Sequence, residues 1–534
     1  MQKCYLVLVA AITFTMARGQ ANNFRDPAID VQHYLFQLKL SDSDDHIEGD
    51  ALIRVRFLKP APSLWLDLVQ NNSEGKGMQV SLVRAGGQEL HFSQSDDILK
   101  IDLPQEAGVG TEKEFEIIYA GIPSNGLIIS KNKYGDRTFF ADNWPNRAHY
   151  WIPCNDHPSD KAPVEFVVTA PARYQVVGNG ILEEETNLDD HTKFTHWKED
   201  VALPTKVMAI GVAAFAVQQV GSVGCVPVFS WVFPENRKAG FYDYGLALDI
   251  LPFFMKQVGP YPYRKLANVQ SKTMFGGMEN ANCIFYEENS IRGDRKTESL
   301  LAHEIAHQWF GNSVTENHFS NLWLSEGFAT YMTDLYLESK YGRDTLNKEL
   351  LEQRAQVIQF AKQRQTPVVD SSTQKYMTLL NPNSYQKGGW VLHMLRRRLG
   401  DSIFWKAISN YYRGYAGKNA STEDLQRVFE AVSKQNLAVF FHQWLYMPGH
   451  PQLGIQWKYE NQSKSVRIRI EQKQPSIFDF PLEIAFKSGN LQVLKTIQVN
   501  KKVTSINIPA SFRPNQIITD PQIKLLFEST VSEQ

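Results

Sequence analysis

Apolar and polar residues alternate over the first two hundred residues of the chain. Residues 34–40 (YLFQLKL) and 53–57 (IRVRF) place an apolar side chain at every second position. A period of two with one polar face is typical of half-buried antiparallel strands. Turn-forming segments such as residues 123–126 (PSNG) separate similar runs up to about Phe215. We therefore predict an N-terminal antiparallel β domain over residues 20–215.

The apolar spacing changes to three and four residues from about Ala239, which is typical of helices that bury one face. Gly342 and Gly400 follow two of these runs as stop signals, and Ser421 or Thr422 is a suitable N-cap for the last run. The predicted helices cover residues 239–259, 299–310, 323–341, 385–399 and 422–433. Together they predict a mostly helical domain over residues 216–450.

Strict alternation returns after Pro451, for example in residues 466–470 (VRIRI). The short remainder of the chain, residues 451–534, suits a small C-terminal β-sandwich. The order of segments predicts a multidomain α+β protein with a β domain at each end.

Composition excludes several classes of protein. The 534 residues carry 56 basic and 57 acidic side chains, so a net charge of -1 provides no electrostatic footprint for nucleic acid. Four cysteines cannot form a disulfide scaffold in a chain of this length. The three outside the N-terminal segment, Cys154, Cys225 and Cys283, allow one bridge at most, and the sequence does not decide whether it forms.

The N-terminal segment has the layout of a secretory signal peptide. Lys3 precedes the apolar residues 5–16 (YLVLVAAITFTM), and residues 17–19 (ARG) supply a small-x-small triplet. We predict cleavage after Gly19 and a secreted or periplasmic protein. An uncleaved anchor is the alternative, but the apolar run is well short of the ~20 residues that span a bilayer. No later stretch is long enough, so no transmembrane segment is expected.

Residues 303–307 (HEIAH) lie within a predicted helix and have the spacing of a zinc hydrolase motif. Positions i and i+4 share one helix face, so His303 and His307 can both reach one ion. Glu304 is rotated about 100° from His303, which directs its carboxylate toward a water rather than toward the ion. Two surface histidines that occur at this spacing by chance are the alternative.

A third ligand is required, because catalytic zinc sites hold three protein ligands and one open position. Glu326 follows His307 by 19 residues, within residues 323–327 (WLSEG). Gly311, Asn312 and Asn317 allow the helix that carries the histidines to end and the chain to reverse direction before Glu326. We predict that Glu326 faces the two histidines; a solvated helix glutamate is the alternative.

These residues resemble the gluzincin aminopeptidases of peptidase family M1, which are similar to aminopeptidase N. Besides H-E-x-x-H and W-L-x-E-G, residues 276–280 (GGMEN) match a G-x-M-E-N element. Residues 385–388 (YQKG) match a Y-x-K-G element, and residues 441–444 (FHQW) with Gly449 and Pro451 match a third. The resemblance covers residues 24–451 and implies a thermolysin-like fold for the catalytic domain.

The resemblance also implies a role for each matching residue. His303, His307 and Glu326 are expected to hold one zinc ion per chain. Glu304 is the expected general base, and Tyr385 the expected donor to the oxyanion. The expected substrate-binding residues are Gly276, Gly277, Met278, Glu279 and Asn280, among which Glu279 binds the free α-amine and the two glycines lie alongside the substrate backbone.

Two positions depart from the family pattern. Trp144 occupies the place of a Gln or Glu that serves relatives as a second amine anchor, so amine recognition is expected to depend on Glu279 or on a neighbour such as Asp142 or Asn143. Ser325 replaces the commoner Asn of W-L-N-E-G, which is expected to be tolerated. Residues 451–534 are too few for the large helical C-terminal domain of long relatives, so a more open site is expected.

The expected function is zinc-dependent removal of N-terminal residues from peptides with a free N-terminus. A thermolysin-like zinc endopeptidase and an inactive peptide-binding ectodomain are the alternatives. Met274, Phe275 and Met278 are expected apolar walls for the first substrate side chain. His393 and His442 are expected to be structural, and the sequence leaves the oligomeric state open.

Overall fold

A computed structural model describes residues 26–534, and the predicted signal peptide at residues 1–19 lies outside the described residues. The first part of the chain is almost entirely strand. Its strands are β1 (Ile29–Lys39), β2 (Ile47–Phe57), β3 (Ala61–Asp67), β4 (Gly77–Ala85), β5 (Gln88–Glu89), β6 (Phe92–Ser95), β7 (Ile98–Ala107), β8 (Glu112–Ile122), β9 (Leu127–Lys131), β10 (Arg137–Ala141), β11 (Lys161–Pro171), β12 (Gln175–Gly178), β13 (Ile181–Asn187), β14 (Thr192–Pro204) and β15 (Ile210–Ala213).

These strands form an eight-stranded sheet in the order β13-β14-β11-β1-β2-β8-β4-β5, with smaller sheets of four and three strands beside it. The predicted antiparallel domain needs one correction, because β1 and β11 pair in parallel, with Phe36 opposite Phe166. Parallel neighbours require a long crossover, here the whole segment from β2 to β10. Alternation along a strand reports which face is buried but not the direction of its neighbour, so the sequence pattern does not reveal this pairing.

The next segment builds a five-stranded sheet that the sequence reading did not predict. Its strands are β16 (Ala216–Val223), β17 (Val226–Val232), β18 (Leu266–Ser271), β19 (Gly277–Met278) and β20 (Cys283–Glu287), in the order β16-β17-β18-β20-β19. Two helices connect β17 to its parallel neighbour β18, namely α1 (Arg237–Tyr244) and α2 (Ala247–Gln257). They replace the single predicted helix over residues 239–259, which is broken at residues 245–246. The short strand β19 lies at the edge of this sheet.

The remaining helices are α3 (Glu298–His307), α4 (Trp323–Tyr341), α5 (Arg343–Gln363), α6 (Gly388–Leu399), α7 (Asp401–Tyr415), α8 (Thr422–Ser433) and α9 (Ala438–Phe441). Of these, α3, α4, α6 and α8 lie where helices are predicted, whereas α5, α7 and α9 are not predicted from the sequence. The Ser421 side chain accepts a hydrogen bond from the Asp424 backbone, so Ser421 is the N-cap of α8. The helix predicted from Tyr385 begins later, at Gly388, because residues 383–387 form a wider π-helical turn.

Two short strands, β21 (Thr315–Glu316) and β22 (Asn419–Ala420), pair inside the helical region. The C-terminal segment consists of strands, namely β23 (Gln452–Glu460), β24 (Ser465–Gln472), β25 (Phe480–Ser488), β26 (Leu491–Val499), β27 (Val503–Pro509), β28 (Gln516–Thr519) and β29 (Glu528–Glu533). The last seven form a four-stranded sheet, β27-β24-β23-β29, and a three-stranded sheet, β26-β25-β28. The inward residues of both sheets, among them Ile468 and Leu482, are buried.

Two sequence questions are answered for residues 26–534. None of the helices in this range is both long and apolar enough to cross a membrane. Cys154, Cys225 and Cys283 are all free thiols, so the described residues contain no disulfide. Burial raises the pKa of Cys283 to about 12, which keeps that thiol protonated and unreactive.

Candidate metal centre and substrate pocket

Helix α3 carries the H-E-x-x-H motif, and its two faces have different surroundings. Leu301, Ala302 and Ile305 are fully buried and fix the helix in the core. His303 and His307 lie one turn apart on the other face, and their Nε2 atoms are 3.1 Å from each other. Both imidazoles therefore present a nitrogen to one point, as the spacing predicts.

The loop after α3 turns the chain back so that α4 packs against α3. Gly311 has a φ of 115°, and a Cβ atom at this position would lie 2.2 Å from the Ser325 hydroxyl oxygen. Only glycine accepts both the left-handed backbone and this close approach. The tight return places Glu326, in the first turn of α4, opposite the two histidines.

The three predicted ligands meet with the geometry of a zinc site. The Oε2 atom of Glu326 lies 3.3 Å from His303 Nε2 and 3.2 Å from His307 Nε2. Ligand atoms about 2.0–2.1 Å from a tetrahedral ion are separated by about 3.3–3.4 Å, so the residues present fit zinc. A second cluster of potential ligands, Glu279 with Glu304 and His307, shares His307 with the first. Among residues 26–534, both clusters therefore describe one site.

His307 is oriented by groups behind it. Its Nδ1 atom lies 3.1 Å from the carbonyl oxygen of Phe310, which can only accept a hydrogen bond, so Nδ1 carries the proton and Nε2 is free to bind a metal. The Ser325 hydroxyl lies 3.0 Å from the same Nδ1 atom. The sequence treats Ser325 as a tolerated exception, whereas in the structure it contacts a metal ligand directly.

Residues 276–279 form one wall of a pocket of about 270 Å³, which we call the central pocket. Gly277 lies directly against Glu304, because a Cβ atom there would be 2.3 Å from the Glu304 carboxylate oxygen. The central pocket is lined by Trp144, Phe275, Gly276, Gly277, Met278, Glu279, Leu300, His303, Glu304, His307, Glu326, Leu380 and Tyr385. Nine of the ten predicted site residues are in this set. The exception, Asn280, is buried but does not line the central pocket.

Glu279 has the environment expected of a ligand-binding carboxylate. Its side chain is 5% exposed, and its Oε1 atom has no hydrogen-bond partner among residues 26–534. A buried carboxylate oxygen without a partner is costly, and such a group indicates a missing ligand or ion. Ligand atoms of Glu279, Glu304 and His307 all lie within 4.8 Å of one another.

The charges in the central pocket favour a cation. Burial raises the pKa of Glu304 well above its usual range, and the carboxylates of Glu279 and Glu326 raise it further. Burial alone lowers the pKa of His307, yet these surrounding carboxylates raise it to about 10. Three carboxylates in one buried pocket repel each other, and a divalent cation relieves that repulsion.

Tyr385 lines the central pocket next to the metal-ligand cluster. It lies in the π-helical turn before α6, and its ring stacks at 6.0 Å on the His303 ring. Burial raises the pKa of Tyr385 well above its usual range, and three neighbouring carboxylates add to the rise. The phenol therefore stays protonated and is available as a hydrogen-bond donor.

Two residues that the sequence reading missed hold the Glu279 segment in place. Asn312 Nδ2 donates to the Glu279 carbonyl oxygen at 2.6 Å, and Gln308 Nε2 donates to the same oxygen at 3.1 Å. Gln308 also accepts a hydrogen bond from the Asn282 backbone. Both are fully buried polar residues just after the H-E-x-x-H helix, and polar residues in a buried segment are the only signal the sequence offers.

The structure decides among the candidates for a second amine anchor. Trp144 lines the central pocket, and its ring packs edge-on against Phe275. Asp142 accepts hydrogen bonds from Arg147 and from the Met274 backbone, so it is already satisfied.

Asn143 is engaged in the same way, because it donates to the carbonyl oxygens of Thr205 and Met208. Neither neighbour of Trp144 faces the central pocket. Met274 also falls outside the expected wall, since it is 60% exposed and does not line the pocket, whereas Leu300 and Leu380 do.

The remaining two histidines of the sequence analysis have the expected surroundings. His393 is fully buried between Tyr331 and the carbonyl oxygen of Ile523. His442 is exposed and stacks on Tyr446. Neither approaches the three ligands.

The sequence of this chain is similar to those of known aminopeptidases. "Aminopeptidase M1-C" from Oryza sativa subsp. japonica is 30% identical over 396 residues, which are 69% of this chain and 44% of that protein. "Glutamyl aminopeptidase" from Rattus norvegicus is 25% identical over 526 residues, 92% of this chain and 55% of that protein. The chain thus spans about half the length of these curated relatives.

A crystal structure of an M1 zinc metallopeptidase from Deinococcus radiodurans shares the fold, with a TM-score of 0.70 and 24% sequence identity over 79% of this chain and 95% of that chain. The Peptidase M1 N-terminal domain matches residues 30–207, and the Peptidase family M1 domain matches residues 242–444. These two matches span more than half of the sequence. The chain belongs to peptidase family M1.

Proposed function

We propose that this chain is a zinc-dependent aminopeptidase that removes the N-terminal residue from peptides. The observation that carries the proposal is the unpaired, buried carboxylate of Glu279 in the same pocket as the His303, His307 and Glu326 cluster. A substrate ammonium group satisfies this carboxylate, whereas the interior of a peptide chain offers it no cation. The same feature disfavours an endopeptidase. The presence of all the predicted catalytic groups disfavours an inactive binding protein.

His303, His307 and Glu326 are the residues that would hold one zinc ion. Zinc, when bound, lowers the pKa of water toward neutrality and polarises a carbonyl group. Glu304 is placed to accept the proton of the attacking water and to pass it to the leaving amine. Its carboxylate lies in the same buried cluster as Glu279 and His307, within reach of a water at the ligand cluster.

Tyr385 is placed to stabilise the developing oxyanion. Its protonated hydroxyl is close to the ligand cluster, since the Tyr385 ring stacks on His303 and the carboxylate of Glu326 raises the pKa of the phenol. A donor of this kind typically contributes ~10²–10³-fold to the rate. Glu304 and Tyr385 thus divide the chemistry between a proton acceptor and a hydrogen-bond donor.

The backbone of the substrate is proposed to lie along β19. This strand pairs with β20 on one side only, and Gly276 and Gly277 carry no side chains to obstruct a peptide on the other. An extended peptide can add to such an edge through backbone hydrogen bonds. The apolar lining residues Trp144, Phe275 and Leu300 favour an apolar N-terminal side chain.

The test compares a leucyl 4-nitroanilide with its N-acetylated twin, each with and without a metal chelator. We expect hydrolysis of the free-amine substrate alone, with loss on chelation and recovery on addition of zinc. Glu304→Gln should retain zinc and lose about 10²–10⁴-fold in kcat. Hydrolysis of both twins would support the endopeptidase instead. Stoichiometric zinc without hydrolysis of any aminoacyl amide would support the binding protein.

We also propose secretion with cleavage after Gly19, on the basis of the N-terminal sequence pattern. Expression in a host with a secretory pathway, followed by intact-mass measurement, tests this proposal. A mature chain that begins at Gln20 is the expected result, and a secreted or cell-bound chain that retains Met1 contradicts it.

A further inference from the structure

A second hollow lies next to the central pocket. It has a volume of about 790 Å³ and shares Leu380 and Tyr385 with the central pocket. We call it the glutamine groove, and it is lined by Ala355, Gln356, Gln359, Phe360, Gln363, Leu380, Asn381, Pro382, Tyr385 and Gln386. The two hollows are therefore adjacent, with Leu380 and Tyr385 between them.

The chemistry of the glutamine groove is unusual for a surface hollow. Five of its ten lining residues carry carboxamides, and none carries an Asp, Glu, Lys, Arg or His side chain. Gln356, Gln359 and Gln363 follow a spacing of three and four residues, so they lie on one face of α5. They are exposed, and among residues 26–534 they have no hydrogen-bond partner. A carboxamide both donates and accepts hydrogen bonds, as a peptide backbone does.

The direction of the substrate follows from the proposed chemistry. Glu279 holds the ammonium group at one end of the central pocket. The scissile carbonyl group then lies between the metal ligands and Tyr385. The glutamine groove shares Tyr385 with the central pocket and contains none of residues 276–279, so the leaving part of the peptide can continue past Tyr385 into it.

The length of the groove sets how much peptide it can contact. Gln356 and Gln363 are seven residues apart on a helix, a rise of about 10 Å. An extended peptide advances about 3.3 Å per residue, so the row of glutamines spans about three residues.

We propose that the glutamine groove binds the second to fourth residues of the peptide substrate through their backbone groups. This inference rests on the proposed aminopeptidase function and specifies its substrate class as oligopeptides rather than dipeptides. Because the groove is uncharged, it selects for length and not for the charge of the downstream side chains.

The experiment measures kcat/KM for leucyl 4-nitroanilide, Leu-Ala, Leu-Ala-Ala, Leu-Ala-Ala-Ala and Leu-Ala-Ala-Ala-Ala. We expect a rise of about tenfold from the dipeptide to the tetrapeptide, from hydrogen bonds of ordinary strength, and no further rise beyond it. We also expect Leu-Ala-Lys-Ala and Leu-Ala-Glu-Ala to agree within about threefold, since the groove presents no charge to either.

Gln359→Glu introduces one charge into the groove without changing its shape. The ratio of kcat/KM for the Lys peptide to that for the Glu peptide should then shift by about tenfold in favour of Lys. Gln435→Glu is the matched control, because Gln435 is exposed between α8 and α9 and lines neither hollow. Its ratio should equal that of the unmodified enzyme.

The outcomes separate the two proposals. Hydrolysis of the nitroanilide with a flat length profile, or an unchanged Lys-to-Glu ratio in Gln359→Glu, overturns the groove and leaves the aminopeptidase intact. A length profile together with a shifted ratio supports the groove. Failure to cleave any substrate overturns the proposed function and this inference with it.

Discussion

The two walls of the central pocket are held by opposite ends of the chain. One wall, residues 276–279, is fixed on both sides by the N-terminal β domain, where Asp142 accepts from the Met274 backbone at 3.1 Å and Asn179 donates to the Ala281 carbonyl oxygen at 2.7 Å. We call it the amine wall, since it carries Glu279.

The other wall, which we call the tyrosine wall, consists of Leu380 and Tyr385, and α5 and α6 pack against its segment from outside the pocket. It is fixed by the C-terminal segment. Arg354 of α5 donates to Asp520 at 2.9 Å and to the Leu525 carbonyl oxygen at 2.8 Å. His393 of α6 lies 2.8 Å from the Ile523 carbonyl oxygen. No residue after Tyr385 lines the central pocket within the described chain, so the C-terminal sheets act only as a support.

Because the two walls are held by different parts of the chain, damage to each should have a different effect. Damage to the amine wall should impair the base and amine recognition while the metal ligands stay in place. Damage to the tyrosine wall should first lower the stability of the support and leave amine recognition unchanged. Four variants test this separation and follow in order of decreasing expected effect.

Gly277→Ala breaks the amine wall at its contact with Glu304. The new Cβ atom would lie 2.3 Å from the Glu304 carboxylate oxygen, so the base must move. A displacement of about 1 Å costs about 10²-fold in kcat, and zinc content should not change. Gly414→Ala on α7 is the matched control, because a Cβ atom there meets nothing within 4 Å and Gly414 lines neither hollow. Equal activity of the two variants would contradict the close packing of Glu304.

Arg354→Ala breaks the support of the tyrosine wall. The loss leaves Asp520, a largely buried carboxylate, without its cation, and should lower the free energy of unfolding by about 2 kcal/mol. Urea denaturation measures this change, and Lys348→Ala, an exposed position on the same helix, is the control. KM for free-amine substrates should stay constant. A changed KM would show that the two walls are coupled.

Asn312→Ala removes the shorter of the two hydrogen bonds to the Glu279 carbonyl oxygen. We expect KM for free-amine substrates to rise about tenfold with little change in kcat, because a buried hydrogen bond is lost while the base is untouched. Steady-state kinetics at constant zinc content measure the split. A fall in kcat alone would place Asn312 with the base rather than with the amine site.

His393→Gln tests the tyrosine wall through pH. Burial lowers the pKa of His393 to about 3, well below its value of 6.5 in an unfolded chain. Between these values the unfolded state binds the proton, so this residue makes the protein less stable as pH falls. From pH 7 to 5.5 the loss is about 1 kcal/mol, which the variant should not show. His442→Gln, at an exposed histidine, is the control, and an unchanged pH slope in His393→Gln would refute the assignment.

The local pattern of apolar, polar and capping residues was sufficient to predict several of the helices. Helix α4 begins at Trp323 and ends before Gly342, and α8 covers Thr422–Ser433, as the spacing and capping residues predict. It was insufficient where pairing is non-local. The parallel join of β1 to β11 and the short edge strand β19 depend on chain segments that meet only in the fold. Alternation records burial within one strand but carries no information about its neighbour.

Local sequence is enough to identify the candidate metal ligands, because H-E-x-x-H on a helix and Glu326 after a short return have few spatial solutions. Helical geometry aligns His303 with His307, and zinc accepts few ligand sets. The surroundings of these ligands depend on the tertiary structure. Asn312 donates a hydrogen bond to the Glu279 carbonyl oxygen, and the Ser325 hydroxyl contacts His307. Three glutamines of α5 line the hollow beside the central pocket. These contacts join separate segments of the chain, and packing rather than local periodicity creates them.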